Sequence, residues 1–171
     1  QSSIPFGIKL AHIHGGETTL GAIDNIYRHQ ITLASDIHFV TTAKHKLKVK
    51  SLKGNIKNIY DVGSLSLSNI DKFQAIDKLM FFNNFKIPNA PFALVTFHPE
   101  TVSVNENLLY VKEMKSALSS LSVKINLIIT MPNADTLGSL YRKELEDLKI
   151  KNTNAIFLIE NFGKINYFNA M

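Results

Sequence analysis

The chain has 171 residues, 45% of them hydrophobic, with no cysteine and a formal charge of +5. That composition suits soluble α/β domains with real cores and excludes disulfides, thiolate catalysis and cysteine-bound zinc. No stretch approaches the about 20 apolar residues of a membrane span, and the opening QSSIPFGIKL lacks a signal peptide's basic start and long apolar run. A cytoplasmic location with no membrane partner is the expectation. A pI near 9.3 invites a nucleic-acid reading. However, the only arginines are Arg28 and Arg142, and the densest lysine run (Lys44, Lys46, Lys48, Lys50, Lys53) alternates with Leu47, Val49 and Leu52 and carries no interleaved aromatics. It reads as a solvated helix face, and no nucleic-acid partner is expected.

In chain order, Ile8 to Ile13 reads as a buried strand running into a Gly15-Gly16 turn. Ile23, Ile26, Tyr27, Ile31 and Ala34 then recur at near-helical spacing, with Asp24 and Arg28 four apart and able to pair. A strand at Ile37 to Val40 follows, then a helix from Ala43 with Thr42 as N-cap and Gly54 as its stop, and a third strand at Ile59 to Val62. Asn69, Asn83, Asn84, Pro88, Asn89 and Pro91 punctuate the next stretch, around a short amphipathic piece at Ile76 to Phe82. It reads as a connection over 71–91 between a first domain at 1–70 and a second at 92–171. The second series comprises strands at Phe92 to Phe97, Ile125 to Met131 and Ala155 to Ile159, with helices over Asn105 to Leu121, Thr136 to Lys149 and Lys164 to Met171. Short apolar strands alternating with helices predict two parallel sheets built by right-handed crossovers.

The unusual residues fall at the carboxyl ends of these strands: His14-Gly15-Gly16-Glu17, Gly63-Ser64, His98-Pro99, Pro132-Asn133-Ala134-Asp135, and Asn161 with Gly163. Ligands of open parallel sheets bind at that edge, so the placement predicts a nucleotide-like ligand held in a cleft between two domains.

Each constellation has a plain structural alternative. His12 and His14, two apart on a strand, point to one side with Glu17 beyond; they suit a metal pair, or a hydrogen-bonded histidine pair beside a glycine turn. No third anchor is placed for a metal. Glu17 and Asp24 with Arg28 can move protons to and from carbon, or simply serve a helix dipole and an i, i+4 pair. Pro99 ends the strand before it and leaves His98 at the sheet's edge, able to touch a ligand or to be satisfied by backbone. Asn133 and Asp135 can read hydroxyls or a base edge, or Asp135 can cap the next helix.

The run AHIHGGETTLGAIDNIYRHQIT, with IHFVTT, NIYDVGSLSLSNI, FALVTFHPET, MPNADT and the closing FGKINYFNAM, resembles the hydrolysing UDP-N-acetylglucosamine 2-epimerases of bacterial sialic- and legionaminic-acid pathways. The resemblance covers essentially the whole chain. It implies an α/β fold of glycosyltransferase-B type: two Rossmann-like parallel-sheet domains, both incomplete here, that usually pair as a homodimer when complete. The implied reaction eliminates the nucleoside diphosphate from a UDP-sugar, or a GDP-sugar in some relatives, to a 2-acetamidoglucal and then adds water, without metal or other cofactor. Carried over by position, Glu17, Asp24 and His98 are the catalytic candidates. His14, Arg28, Asn133 and Asp135 are substrate-binding candidates, with Arg28 expected to orient Asp24. Relatives in the non-hydrolysing branch carry a carboxylate where this chain has His14. The resemblance also implies segments before Gln1 and after Met171, so the chain is expected to be an internal fragment.

Overall fold

The computed structural model describes residues 2, 4–68, 70–100, 104–133 and 138–171. The chain divides into two compact units, Gln1–Lys72 and Phe73–Met171. No helix among the described residues is long and apolar enough to cross a membrane.

In the first unit, β1 (Ala11–Ile13), β2 (Ile37–Val40) and β3 (Ile59–Asp61) form a parallel sheet in sequence order, with His12 opposite His38 and Ile13 opposite Phe39. The crossovers are α1 (Asp24–Ala34) and α2 (Ala43–Lys53). Helix α2 begins where expected because the Thr42 hydroxyl accepts from the His45 amide at 3.2 Å. It stops at Gly54, which takes a left-handed φ of 73° at little steric cost. Lys53 in its last turn reaches the Leu33 and Ser35 carbonyls at 2.9 Å, satisfying orphan acceptors at the end of α1. The small apolar core joins Val40, Val49 and Ile59. Beside it lie buried His12, Thr32, Ser35 and His38.

In the second unit, β4 (Phe92–Thr96), β5 (Asn126–Thr130) and β6 (Ile156–Ile159) form a second parallel sheet in the same sequence order. Three consecutive β5 residues, Leu127, Ile128 and Ile129, are fully buried, as a strand covered on both faces requires. Helices α4 (Asn107–Ser122) and α5 (Gly138–Lys151) cover one face through Val111, Met114, Leu118, Leu145 and Leu148. The other face is covered by α3 (Lys78–Phe85) and α6 (Gly163–Ala170) through Phe81, Phe82 and Ala170, with Phe162 just before α6 and Ile87 just after α3.

From Phe73 on, the stretch expected as a connection over 71–91 falls within the second unit, to whose core Phe81, Phe82 and Ile87 contribute. Its polar punctuation masked Phe81 and Phe82, which are adjacent and both buried. The architecture is α/β with two parallel three-stranded sheets, as expected.

Candidate functional site

The decisive local geometry is the turn after β1. His14 adopts a left-handed φ of 64°, so β1 ends at Ile13 and His12 and His14 diverge instead of sharing a face. His12 turns into the unit, where its Nδ1 lies 3.1 Å from the Thr32 hydroxyl and its ring meets His38 edge-on at 6.3 Å. Burial foremost, then the charges of His38 and Arg28, holds His12 below its ordinary pKa. The expected histidine pair is thus replaced by two separate environments. Among the described residues no three histidines or carboxylates gather as a metal set.

Gly16 then packs the turn onto the first turn of α2: a Cβ there would lie 2.5 Å from the His45 carbonyl oxygen. This close approach delivers Glu17 to the carboxyl end of β2. Its Oε1 receives the His14 Nδ1–H at 2.8 Å and the Thr41 hydroxyl at 2.9 Å. Burial pushes the Glu17 carboxyl up, but the Thr41 hydrogen bond and the His14 interaction outweigh it and hold it below the usual carboxylate value. Glu17 is therefore an ionised, acceptor-only group at neutral pH. Among the described residues both donors to the carboxylate fall on Oε1, and none is placed on its second oxygen, Oε2.

Arg28 projects from α1 to donate to the Glu17 carbonyl at 3.3 Å and to Asn25 Oδ1 at 3.4 Å. The expectation that Arg28 orients Asp24 is corrected: Asp24 is exposed at the first turn of α1 and has no ion pair among the described residues. The guanidinium is taken up instead by the Glu17 carbonyl and by Asn25 Oδ1. Asn25, tied to Thr19 and Ala22 by its amide, closes the loop before α1 and presents its oxygen to the guanidinium.

In the second unit, His98 is exposed just past β4, while Pro99 after it is buried. Fully buried Asn107, one turn into the following segment, clamps this turn: its Oδ1 accepts from the Glu100 amide at 3.0 Å and its Nδ2 donates to the Glu100 carbonyl at 2.8 Å. The Tyr141 hydroxyl donates to the same Oδ1 at 2.9 Å, and the Tyr141 ring stacks on Phe97. Asn133 is exposed after Pro132, whose carbonyl is held by Arg142 at 2.9 Å; Glu160 in turn holds the guanidinium. Asp135 lies outside the described residues. At the same strand ends, Thr96 and Thr130 share a hydrogen bond at 2.7 Å.

The structure thus brings His14, Glu17 and Arg28 together, leaves Asp24 nearby on α1 without an ion pair among the described residues, and places His98 and Asn133 at the strand ends of the second unit. Sequence reasoning missed Thr41, His45, Asn25 and Asn107. Thr41 and His45 had a signal, four residues apart across a helix start, although it reads first as capping.

Two parallel three-stranded sheets accord with the family comparison. The model of the UDP-N-acetylglucosamine 2-epimerase family matches residues 1–171. The chain belongs to that family. It is 33% identical over 96% of its length to the hydrolysing GDP/UDP-N,N'-diacetylbacillosamine 2-epimerase of Campylobacter jejuni, and covers 43% of that enzyme. It is 30% identical over 81% of its length to the polysialic acid biosynthesis protein P7 of Escherichia coli, covering 36% of it.

Among solved structures, the Neisseria meningitidis UDP-GlcNAc 2-epimerase bound to UDP-GlcNAc superposes with a TM-score of 0.72 at 17% identity, over 97% of this chain and 46% of that one. The Rickettsia bellii epimerase superposes at 0.63, over 97% and 43%. The likeness establishes the glycosyltransferase-B-like epimerase fold for this family member. The chain spans less than half the length of the relatives it matches.

Proposed function

We propose that this chain is part of a hydrolysing sugar-nucleotide 2-epimerase that converts UDP-N-acetylglucosamine and water to N-acetylmannosamine and UDP. On this reading 1–72 belongs to the first Rossmann-like domain and 73–171 to the second. The observation that carries it is Glu17: a strand-end carboxylate held ionised by two donors on one oxygen, with no donor from the described residues on the other.

An ionised carboxylate suits removal of the weakly acidic proton from C2 of the sugar. As the C2–H bond breaks, its electron pair forms the C1–C2 double bond and the bond from C1 to the diphosphate oxygen breaks, leaving 2-acetamidoglucal and the nucleoside diphosphate. Water then adds across that double bond, hydroxyl to C1 and proton to C2 on the opposite face, which gives the manno configuration. Asp24 and His98 are the remaining candidates for exchanging protons with C2, water and the leaving group; His14, Arg28, Asn133 and Asp135 are assigned to holding substrate and loops. The names of two relatives, from Campylobacter jejuni and Legionella pneumophila, favour a diacetamido sugar as the second reading of the substrate.

The test is product analysis on the full-length protein with UDP-N-acetylglucosamine and with UDP- and GDP-linked N,N'-diacetylbacillosamine. A free manno-configured sugar and one equivalent of nucleoside diphosphate are expected from one of them without any acceptor. Release that requires an acceptor would point to a glycosyltransferase, and UDP binding without turnover to an inactive nucleotide-binding module. Glu17→Gln, Asp24→Asn and His98→Ala are each expected to lower kcat by about 10²- to 10⁴-fold with circular dichroism unchanged. Undiminished turnover in any of them removes that residue from the chemistry.

A further inference from the structure

Thr41 stands at the carboxyl end of β2, one residue before the N-cap of α2, and its Oγ1 has two neighbours. The hydroxyl donates to Glu17 Oε1 at 2.9 Å, and His45 Nδ1 lies 2.7 Å from the same Oγ1. A hydroxyl has one proton, and an ionised carboxylate can only accept. With that proton committed to Glu17, Oγ1 must accept from His45, which requires a proton on Nδ1. The chain of donation therefore runs one way, from His45 to Thr41 to Glu17. His14 Nδ1–H meets the same Oε1 from the other side.

Two donors on Oε1 saturate that oxygen and leave the syn and anti lone pairs of Oε2 outside the network. The carboxylate also sits beside the N-terminus of α2, whose unsatisfied amides favour negative charge there. The arrangement is closely built. Gly16 seats the turn against the His45 carbonyl with no room for a side chain, so Glu17 and His45 hold their separation through backbone contact.

We infer that Thr41 is a positioning residue for Glu17, itself oriented by His45, and that the pair selects Oε2 as the oxygen presented to the sugar. This rests on Glu17 acting in the proposed elimination. Among the described residues, the charged and titratable groups around the carboxylate are His14 from the turn, His12 from β1 and His45 from α2, with the Arg28 guanidinium on the Glu17 carbonyl from α1. A donor to the ionised form lowers a carboxyl pKa, so losing the Thr41 hydroxyl must raise it.

The experiment follows the carboxyl ¹³C titration of Glu17 and the pH dependence of kcat/KM in the full-length protein, for wild type, Thr41→Val, Thr41→Ser and His45→Ala. Thr41→Val is expected to move the Glu17 midpoint and the ascending limb of kcat/KM to higher pH. Its kcat should fall about 10- to 100-fold, the loss expected for one hydrogen bond to a charged group, with KM little changed. Thr41→Ser restores the donor and should return both curves; His45→Ala should shift them the same way by less. A folded Thr41→Val protein that titrates like wild type overturns the proposal, as does an unmoved midpoint in His45→Ala should the valine variant fail to fold. Glu17→Gln separates the two levels. Lost turnover there with an unmoved Thr41→Val titration overturns the positioning role alone, whereas retained turnover overturns the catalytic reading beneath it.

Discussion

Gly16 combines a φ of 82° with a Cβ position 2.5 Å from the His45 carbonyl and 3.0 Å from Val49 Cγ2. Both neighbours belong to α2, and the nearer is backbone that cannot swing away. Gly16→Ala is therefore expected to cost about 2 to 4 kcal/mol, from the left-handed backbone and the forced contact together. Thermal unfolding of the variant checks this. Since the turn carries Glu17, any folded Gly16→Ala protein should also lose the shared contact of Glu17 with Thr41, and with it activity. Much of this was legible in the sequence as a Gly-Gly pair after an apolar strand. That Gly16 marks a seat on a helix nearly thirty residues downstream was not.

At the scale of elements, α2 shows how local signals decide where helices begin and end. Thr42 accepts from the His45 amide, the lysines of the last turn sit at the negative end of the dipole, and Gly54 takes the left-handed stop. Its apolar contribution is slight: Val49 is fully buried, whereas Leu47 is exposed. The cap thus matters more here than in a helix anchored by a broad apolar face. Thr42→Ala is expected to destabilise the first unit by about 1 kcal/mol, read as increased amide exchange along α2 with little change in α4. Helix α3 illustrates the opposite case. Eight residues long and flanked by turn-forming residues, it had a weak local signal, yet Phe81 and Phe82 pack with Phe162 and Phe92 against the second sheet. Asp77 starts it by accepting from the Met80 amide at 3.0 Å.

Across the whole molecule the histidines are unevenly shared. Five of the six lie in the first unit, and the sixth, His98, is exposed. His12 and His38 are buried, and burial above all depresses both below their ordinary value of 6.5, aided at His38 by the charge of Lys53. A histidine whose folded pKa is lowered binds more protons when unfolded, so stability rises with pH between the folded and unfolded values. The first unit should be fully stable above the unfolded value and weaken as pH falls below it. Hydrogen exchange, corrected for intrinsic rate, is expected to show residues 37–40 losing protection between about pH 7.5 and pH 5.5 while residues 126–130 change little. Equal loss in both sheets would show that the buried histidines do not govern the acid response.

Alternation of short apolar strands with helices, the cap and stop of α2, and the placement of polar residues at strand ends were all determined by the sequence itself. These are interactions among residues a few positions apart, and their periodicity is written in the order of side chains. Tertiary structure alone decided which side chains meet. The parallel register that sets Ile13 beside Phe39 brings the turn after β1 next to Thr41, across 24 residues. It turns His12 inward and His14 toward Glu17, sends Arg28 to a carbonyl instead of Asp24, and draws α3 into the second core. Partner choice between distant residues follows from sheet register and packing, which no local pattern encodes, so the placement of the acid was legible in the sequence while the hydroxyl that holds it was not.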